Sequence, residues 1–192
     1  MRKVLLFLAI ALLGQYAKAQ SQTEYHIGIG TGSVQELAVR NATHPLFNVA
    51  SLKNETPAYA YSVAGPVRIG VKKHEGKHFL LGADFNYSNI EMMSTYADGS
   101  SHFSNFVNYT LMASTQYKFI DKPKLTLYSG IDFGVSFASV KNQENGRTNQ
   151  DLTAAFQVNF LGARYGSKYG LFAELGYGFN GFANGGLFCR LD

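Results

Sequence analysis

One short stretch holds residue types that nucleophilic catalysis uses: His102, Ser104 and Asn105. A serine nucleophile needs a histidine as its base and a third group, usually a carboxylate, that orients the histidine. The residue twelve positions beyond Ser104 is Gln116, which is no carboxylate. We also interpret the stretch as the edge of a loop, where polar residues are ordinary. The sequence therefore predicts that the chain is not an enzyme, with hydrolysis kept as an alternative.

Metal and cofactor sites are not predicted either. His74 and His78 flank Glu75 in a Gly-containing segment, but a zinc site requires further well-placed ligands. The glycines of "GIGTG" (28–32) resemble a phosphate-binding loop, yet they alternate within a strand pattern and no helix with a following Lys is evident. We expect no metal and no cofactor.

A third set consists of sparse charges of both signs near the centres of predicted strands. In the narrow interior of an eight-stranded barrel such charges could pair, and an unpaired charge there would be costly. We predict a structural network inside a barrel, the lumen charge network, made of Arg68, Asp84, Lys118, Asp132, Arg164, Glu174 and Arg190.

The elements that position these charges are strands, because apolar residues recur with period 2 throughout. In "GLFAELGYGFNG" (170–181), for example, Leu171, Leu175 and Tyr177 alternate with Glu174 and glycines. The pattern predicts eight strands at about 24–32, 59–73, 77–91, 103–119, 124–140, 152–165, 170–181 and 184–192.

The links between the strands alternate in length. Tight Gly or Pro turns follow strands 2, 4 and 6, whereas longer polar segments, 33–58, 92–102 and 141–151, follow strands 1, 3 and 5. This layout is typical of an up-and-down membrane barrel with short periplasmic turns and long outer loops. We expect a bulge at Pro66, a phase slip near Gly162 that returns Arg164 to the polar face, and a short helix at 33–41.

Period 2 alone is compatible with two barrels that differ in which face points inward. A soluble lipocalin-like barrel holds its apolar face inside, and a membrane barrel holds it outside. The chain is only 16% charged and has 20 Gly, whereas a water-facing sheet normally carries many Lys and Glu. Trp is absent, but aromatic residues are frequent on the apolar face, and several lie near strand ends, as in membrane girdles: Tyr87, Tyr109, Tyr117, Phe119, Tyr165, Tyr169 and Tyr177. These features favour the membrane barrel.

The first residues have the three parts of a secretory signal peptide: Arg2 and Lys3, an apolar run, and Ala17-Lys18-Ala19. We expect residues 1–19 to be removed and residues 20–192 to form one barrel domain. Of 17 Lys and Arg, three leave with the signal, so 14 basic residues face 13 acidic ones, and nucleic-acid binding is not expected. The single Cys189 excludes an internal disulfide.

The run 156–192 resembles the last three strands of the outer-membrane β-barrel domain family, small barrels of the OmpX and OmpA style common in the Bacteroidota. The similar residues are Asn159 and Gly162, the short Lys turn, and "E-x-G-x-G" from Glu174. The chain departs from such barrels by ending in Leu191-Asp192 rather than in an aromatic residue. The resemblance implies a Gram-negative outer membrane, its lipids and the barrel-assembly machinery as partners. "HFSN" (102–105) also resembles a segment of barrel lipid-A deacylases.

The sequence thus predicts an all-β, eight-stranded antiparallel up-and-down transmembrane β-barrel in the cell outer membrane. We expect a non-enzymatic structural or surface-interaction role, with an extracellular ligand bound through loops 33–58, 92–102 and 141–151. A narrow channel that uses the lumen charges, and an outer-membrane lipid hydrolase, are the alternatives.

Overall fold

The computed structural model describes residues 22–42, 58–96, 99–142 and 148–191, which form eight strands and one helix, α1, at Val34–Ala42. The predicted signal peptide lies outside the described residues. No helix in the described ranges has the length and apolarity to cross a membrane. The strands are β1 Thr23–Thr31, β2 Ala58–Glu75, β3 Phe79–Thr95, β4 Ser101–Lys122, β5 Leu125–Asn142, β6 Thr148–Gly166, β7 Tyr169–Gly178 and β8 Ala183–Leu191.

The strands form one closed antiparallel barrel in chain order. Each strand pairs with its neighbours in sequence, and β1 closes the ring by pairing with β8, with Glu24 opposite Arg190. Every pair of adjacent strands is therefore consecutive in sequence, except the pair β1 and β8 that closes the barrel. The predicted eight-stranded up-and-down barrel is confirmed.

Five strands are longer than predicted, and two predicted loops are wrong. β3 continues to Thr95 and β4 begins at Ser101, so most of 92–102 is strand. Similarly, β5 continues to Asn142 and β6 begins at Thr148, inside the predicted loop 141–151. The prediction was wrong there because polar residues on the outward face resemble a loop in the sequence, although the strand pairing continues through them. β7, in contrast, ends at Gly178 rather than at 181.

Part of the first predicted loop, 33–58, is helical. The Ser33 hydroxyl accepts a hydrogen bond from the Glu36 N–H (3.2 Å), and the Glu36 carboxylate accepts one from the Gly32 N–H (3.2 Å). This reciprocal cap fixes the start of α1, as the sequence predicts. Arg40 adds an ion pair with Glu36 at 2.8 Å. Residues 43–57 lie outside the described ranges.

The ladders shift register at the irregularities that the sequence indicates. The β2–β3 pairing slips between Ala64 and Val67, which surrounds the predicted bulge at Pro66. The β6–β7 pairing slips between Asn159 and Leu161, slightly before the predicted position at Gly162. Arg164 consequently lies on the inward face and is buried.

The two faces of the barrel differ sharply in polarity. Large apolar side chains point outward and are 37 to 67% exposed, including Phe133, Phe160 and Leu171. Inward positions are mainly polar, charged or glycine, with a few buried apolar and aromatic side chains such as Leu80, Met112 and Phe172 among them. A Cβ on Gly162 would lie 2.3 Å from ring carbons of Tyr128, so this glycine makes room for the aromatic side chain inside.

Candidate functional site: a charged lumen below a protruding sheet

The structure places all seven residues of the lumen charge network on the inward face, with at most 8% of each residue exposed. They come from seven different strands, one from each of β2 to β8, because every second residue of each strand faces the lumen. They do not form one cluster. The structure divides them into one large group and three smaller sites.

The large group is centred on Glu24, which the sequence analysis did not single out. Its two carboxylate oxygens accept hydrogen bonds from Arg164 Nε at 2.7 Å and from Arg190 Nε at 3.0 Å. Glu24 is fully buried. Arg164 also donates to the Gln116 side-chain oxygen at 2.7 Å and stacks over the ring of Tyr128, with its guanidinium carbon 4.0 Å from the centroid. One carboxylate thus pairs with two guanidinium groups.

Gln116 links this group to a second carboxylate, Glu174. The Gln116 amide donates to Glu174 at 3.3 Å, the Tyr128 hydroxyl donates to the same oxygen at 2.6 Å, and Arg68 contacts the other oxygen at 2.8 Å. Arg68 further packs on the ring of Phe172, 5.0 Å from its centroid. A continuous polar chain therefore crosses the lumen from β8 to β2.

Asp84 and Asp132 belong to separate sites. Asp84 contacts the imidazole of His26 at 2.5 Å and the ammonium of Lys72 at 3.4 Å. Asp132 has no cation within ion-pair distance among the described residues, but it accepts a hydrogen bond from the Asn180 amide at 3.2 Å. The lumen above the turns then holds four cations and four anions, which balance: Arg68, Lys72, Arg164 and Arg190 against Glu24, Asp84, Asp132 and Glu174.

Lys118 lies apart from the others, near the barrel end that carries the tight turns, which we name the turn end. Its ammonium contacts Asp121 at 2.7 Å and lies 3.5 Å from His74 Nδ1. Partial burial acts to raise the pKa of Asp121, but the hydrogen bond and the charge of Lys118, with the hydroxyl of Thr126, lower it below its usual range. This pair lies at the turn end of the lumen.

Sequence reasoning missed three charged or titratable lumen residues, Glu24, His26 and Lys72. The alternation pattern does place all three on the inward face, because each lies on the same face of the sheet as Arg68 or Arg190 of a neighbouring strand. Glu24 stood at the predicted edge of its strand and Lys72 beside another lysine, so neither looked like an isolated central charge.

The opposite end, which we name the hairpin end, is covered. The β7–β8 turn folds inward, and Phe179, Asn180 and Gly181 are buried. The Asn180 N–H donates to the Gln157 side-chain oxygen at 2.9 Å, while the Asn180 side chain reaches Asp132. The turn therefore closes the lumen over its packed charges, and α1 lies across a cavity that Phe179 also lines.

The candidate catalytic stretch lies inside β4, so its interpretation as a loop edge is wrong: the strand begins at Ser101. His102 packs edge-on against the Tyr96 ring at 5.1 Å. Glu91 pairs with Asn105, and both lie on the opposite face of the sheet from His102 and Ser104. Gln116 is buried in the lumen. The stretch shows no oriented His–carboxylate pair in these contacts.

His74 and His78 diverge. His74 lies 3.9 Å from Glu24, whereas His78 Nδ1 is 3.3 Å from the Lys118 carbonyl and its ring stacks on Tyr117. No cluster of three metal-ligating side chains occurs in the described ranges.

The outward apolar face is bounded by aromatic residues at two levels. At the turn end, the ring of Phe79 contacts that of Tyr117, and at the hairpin end Tyr109 contacts Tyr87. Tyr109 and Phe119 stand ten residues apart on β4, which corresponds to about 26 Å in height at about 3.4 Å per residue and a tilt of about 40°. A transmembrane barrel has an apolar band about 25 Å tall.

Beyond the Tyr87–Tyr109–Phe137 row, the separation of an apolar outward face from a polar inward face ends. One paired outward row is polar and consists of Glu91, Asn105 and Lys141, while the adjacent inward row is apolar and consists of Val63, Ile90, Phe106 and Val140. Phe103 still faces outward and is 47% exposed, and Ser104 lies on the inward side. The outward face is therefore mainly apolar below the row and mixed above it.

The strands above this row form a five-stranded sheet that continues past the ends of β1, β7 and β8. The β1–β2 ladder ends at Ile29–Val67, and the β6–β7 ladder ends at Gln157–Gly178. We name the part beyond these points the protruding sheet. It comprises residues 58–64, 89–95, 101–107 and 138–142 and the segment 148–155 of β6, whose residues 152–155 pair with 134–137 at and below the row.

A closed barrel with an apolar exterior and a charged, neutralised interior has the architecture of a membrane-spanning β-barrel. By sequence, no protein-family model and no curated protein matches this chain. Among solved structures, one that it resembles is Ail, the attachment invasion locus protein of Yersinia pestis. The two are 9% identical, with a TM-score of 0.41, and the alignment covers 88% of this chain and 93% of that chain.

Proposed function

We propose that this chain is a non-enzymatic outer-membrane barrel that presents its protruding sheet to a macromolecular partner outside the cell. The observation that carries the proposal is the continuation of β2 to β6 beyond the level at which the exterior stops being apolar. A barrel that served only to fill the membrane would not need these strands, since 9–11 residues cross a bilayer and β4 has 22.

The membrane orientation follows from the two ends. The turn end holds three tight turns and both described chain ends, as periplasmic ends of such barrels do. The hairpin end holds α1 and the protruding sheet, which would then lie outside. This proposal includes the signal peptide with cleavage before Gln20, which rests on the three-part pattern of the first residues. It also includes the barrel-assembly machinery and the OmpX and OmpA style of the Bacteroidota, which rest on the resemblance of residues 156–192.

The recognition element is the outer edge of β6, residues 148–155. No described strand pairs with the side of this segment that faces away from β5. Residues 148–154 are exposed, and Asp151 is their only charge. Natural proteins usually block a free edge with several charges or a proline, because its unpaired N–H and C=O groups accept another strand. An extended partner segment could add to this edge by main-chain hydrogen bonds.

Leu152 marks the direction of the free groups. Its N–H donates to the Asp151 carboxylate at 2.9 Å, which shows that this N–H points away from the ladder with β5. The Asp151 carboxylate is exposed and can be displaced by a carbonyl of an added strand.

Location and orientation can be tested with single cysteines in a Cys189→Ser background. Gln150→Cys places a thiol on the protruding sheet, and Ser167→Cys places one in an exposed turn at the other end. A membrane-impermeant maleimide applied to intact cells should label Cys at 150 at once and Cys at 167 only after lysis. Labelling of 167 alone would reverse the orientation, and equal labelling would contradict a membrane-spanning barrel.

Recognition by strand addition can be tested with a synthetic peptide that copies residues 133–141, the natural neighbour of β6. It should bind the folded barrel and lose binding in Leu152→Pro, which removes the outward N–H without removing a ladder bond. Leu152→Ala, which keeps the N–H, is the matched control. Equal binding to both variants, with both folded by gel shift, would overturn edge recognition and leave the membrane location untouched.

A further inference from the structure

A cavity of about 240 Å³ lies between α1 and the inner wall of the protruding sheet. The helix contributes Val34, Ala38 and Val39, and Phe179 of the inward-folded turn is on the opposite side. The wall residues include Phe106, Ala138 and Val140 of β4 and β5. Its lining is mainly apolar, in contrast with the charged lumen beneath it.

The position of this cavity makes its polarity unusual. It extends across the Tyr87–Tyr109–Phe137 row, from Ser136 and Thr153 at its lower end to Val140 at its upper end. The barrel wall separates it from lipid, and most of its lining offers water no hydrogen-bond partner. An engineered apolar cavity of about 150 Å³ stays dry and takes up benzene, so a cavity of this size holds a larger apolar group.

The dimensions indicate the shape of the group. The wall residues run from Ser136 to Val140 on β5, a distance of about 14 Å at about 3.4 Å per residue. The cavity is therefore long relative to its volume of about 240 Å³, which suits one extended apolar group. The Ser136 hydroxyl at the lower end already shares a hydrogen bond of 2.8 Å with Thr110, so the wall there does not require a polar ligand atom.

We propose that this cavity binds a single medium-length alkyl chain, such as the acyl chain of a fatty acid, with its polar end in the water outside the barrel. The apolar lining recognises the chain, and the volume of about 240 Å³ limits the site to one chain. Thr153 of the β6 segment also lines this cavity, but alkyl binding does not depend on strand addition.

The test uses the full-length barrel in lipid nanodiscs and octanoate as the probe, measured by equilibrium dialysis against discs without protein. We expect saturable uptake of one octanoate per barrel beyond the empty-disc level. Butyrate, four methylenes shorter, should bind on the order of a hundredfold more weakly, since each buried methylene contributes roughly a factor of four.

Two substitutions fill the cavity from opposite sides, Ala138→Phe on the wall and Ala38→Phe on α1. Each should lower octanoate affinity at least tenfold, while Ala113→Phe, an outward position on β4, should leave it unchanged. Two filling variants are used because one could disturb folding, which the heat-dependent gel shift reports. Uptake equal to that of empty discs, or undiminished in both filling variants, would overturn the proposal.

Discussion

Removing the Glu24 carboxylate should destabilise the barrel more than any surface change. Glu24 is fully buried and holds two guanidinium groups, at 2.7 and 3.0 Å. Glu24→Ala leaves both cations without their anion in a site that water does not reach. Breaking a buried ion pair by deleting one partner costs about 3–5 kcal/mol of unfolding free energy.

The contacts that survive place the expected loss near the lower bound. Arg164 keeps its hydrogen bond to Gln116 and its stacking on Tyr128, and Arg190 keeps the Ser167 carbonyl at 3.3 Å. We therefore expect a loss of about 3 kcal/mol in the free energy of unfolding. The matched control is Glu75→Ala, an exposed carboxylate at the turn end, which should change stability by less than about 0.5 kcal/mol.

The assay is reversible denaturant unfolding of the barrel in lipid vesicles, followed by gel shift, for wild type and both variants. A double-mutant cycle with Arg164→Met isolates the pairwise interaction, because the doubly substituted protein no longer holds that uncompensated cation. A loss below about 1 kcal/mol for Glu24→Ala would refute the reasoning that Glu24 neutralises two buried cations.

Three further predictions concern the lumen and the candidate catalytic stretch. Gly162→Val should displace the Tyr128 ring and lower the unfolding free energy by about 1–3 kcal/mol through overpacking. Ala163→Val, on the outward face, should be nearly neutral. Equal effects of the two substitutions in denaturant unfolding would contradict the packing argument. In planar bilayers the wild-type barrel should show no sustained conductance, because the lumen charges are packed and the β7–β8 turn closes the hairpin end. A stable current that disappears in Glu174→Gln would favour the channel alternative. Ser104→Ala should leave the lipid-A mass spectrum of expressing cells unchanged, and a shift of acyl content between wild type and variant would restore the hydrolase alternative.

The barrel could be predicted from the sequence because parity is a local property. Arg164 and Glu174 were assigned to the inside from their immediate neighbours, and the phase slip before Arg164 was visible as an interruption of alternation. Their partners could not be predicted in the same way. Arg164 meets Glu24 across 140 positions of sequence, and that contact depends on the stagger of all eight strands. The lengths of β2 to β6 could not be predicted because polar residues appear on the outward face partway along each strand. A rule that expects apolar outward residues throughout therefore places the end of the strand too early.

The unequal height of the wall gives the protein a front and a back in the plane of the membrane. β1, β7 and β8 have only 9 or 10 residues each, whereas the strands of the protruding sheet have 17 to 22. A neighbour that approaches from the side of the short strands meets a low rim, and one that approaches from the opposite side meets the polar outer surface of the sheet. Rotation of the barrel about the membrane normal therefore changes what it offers to its surroundings, so that lateral encounters are directional even though the embedded cylinder is uniformly apolar.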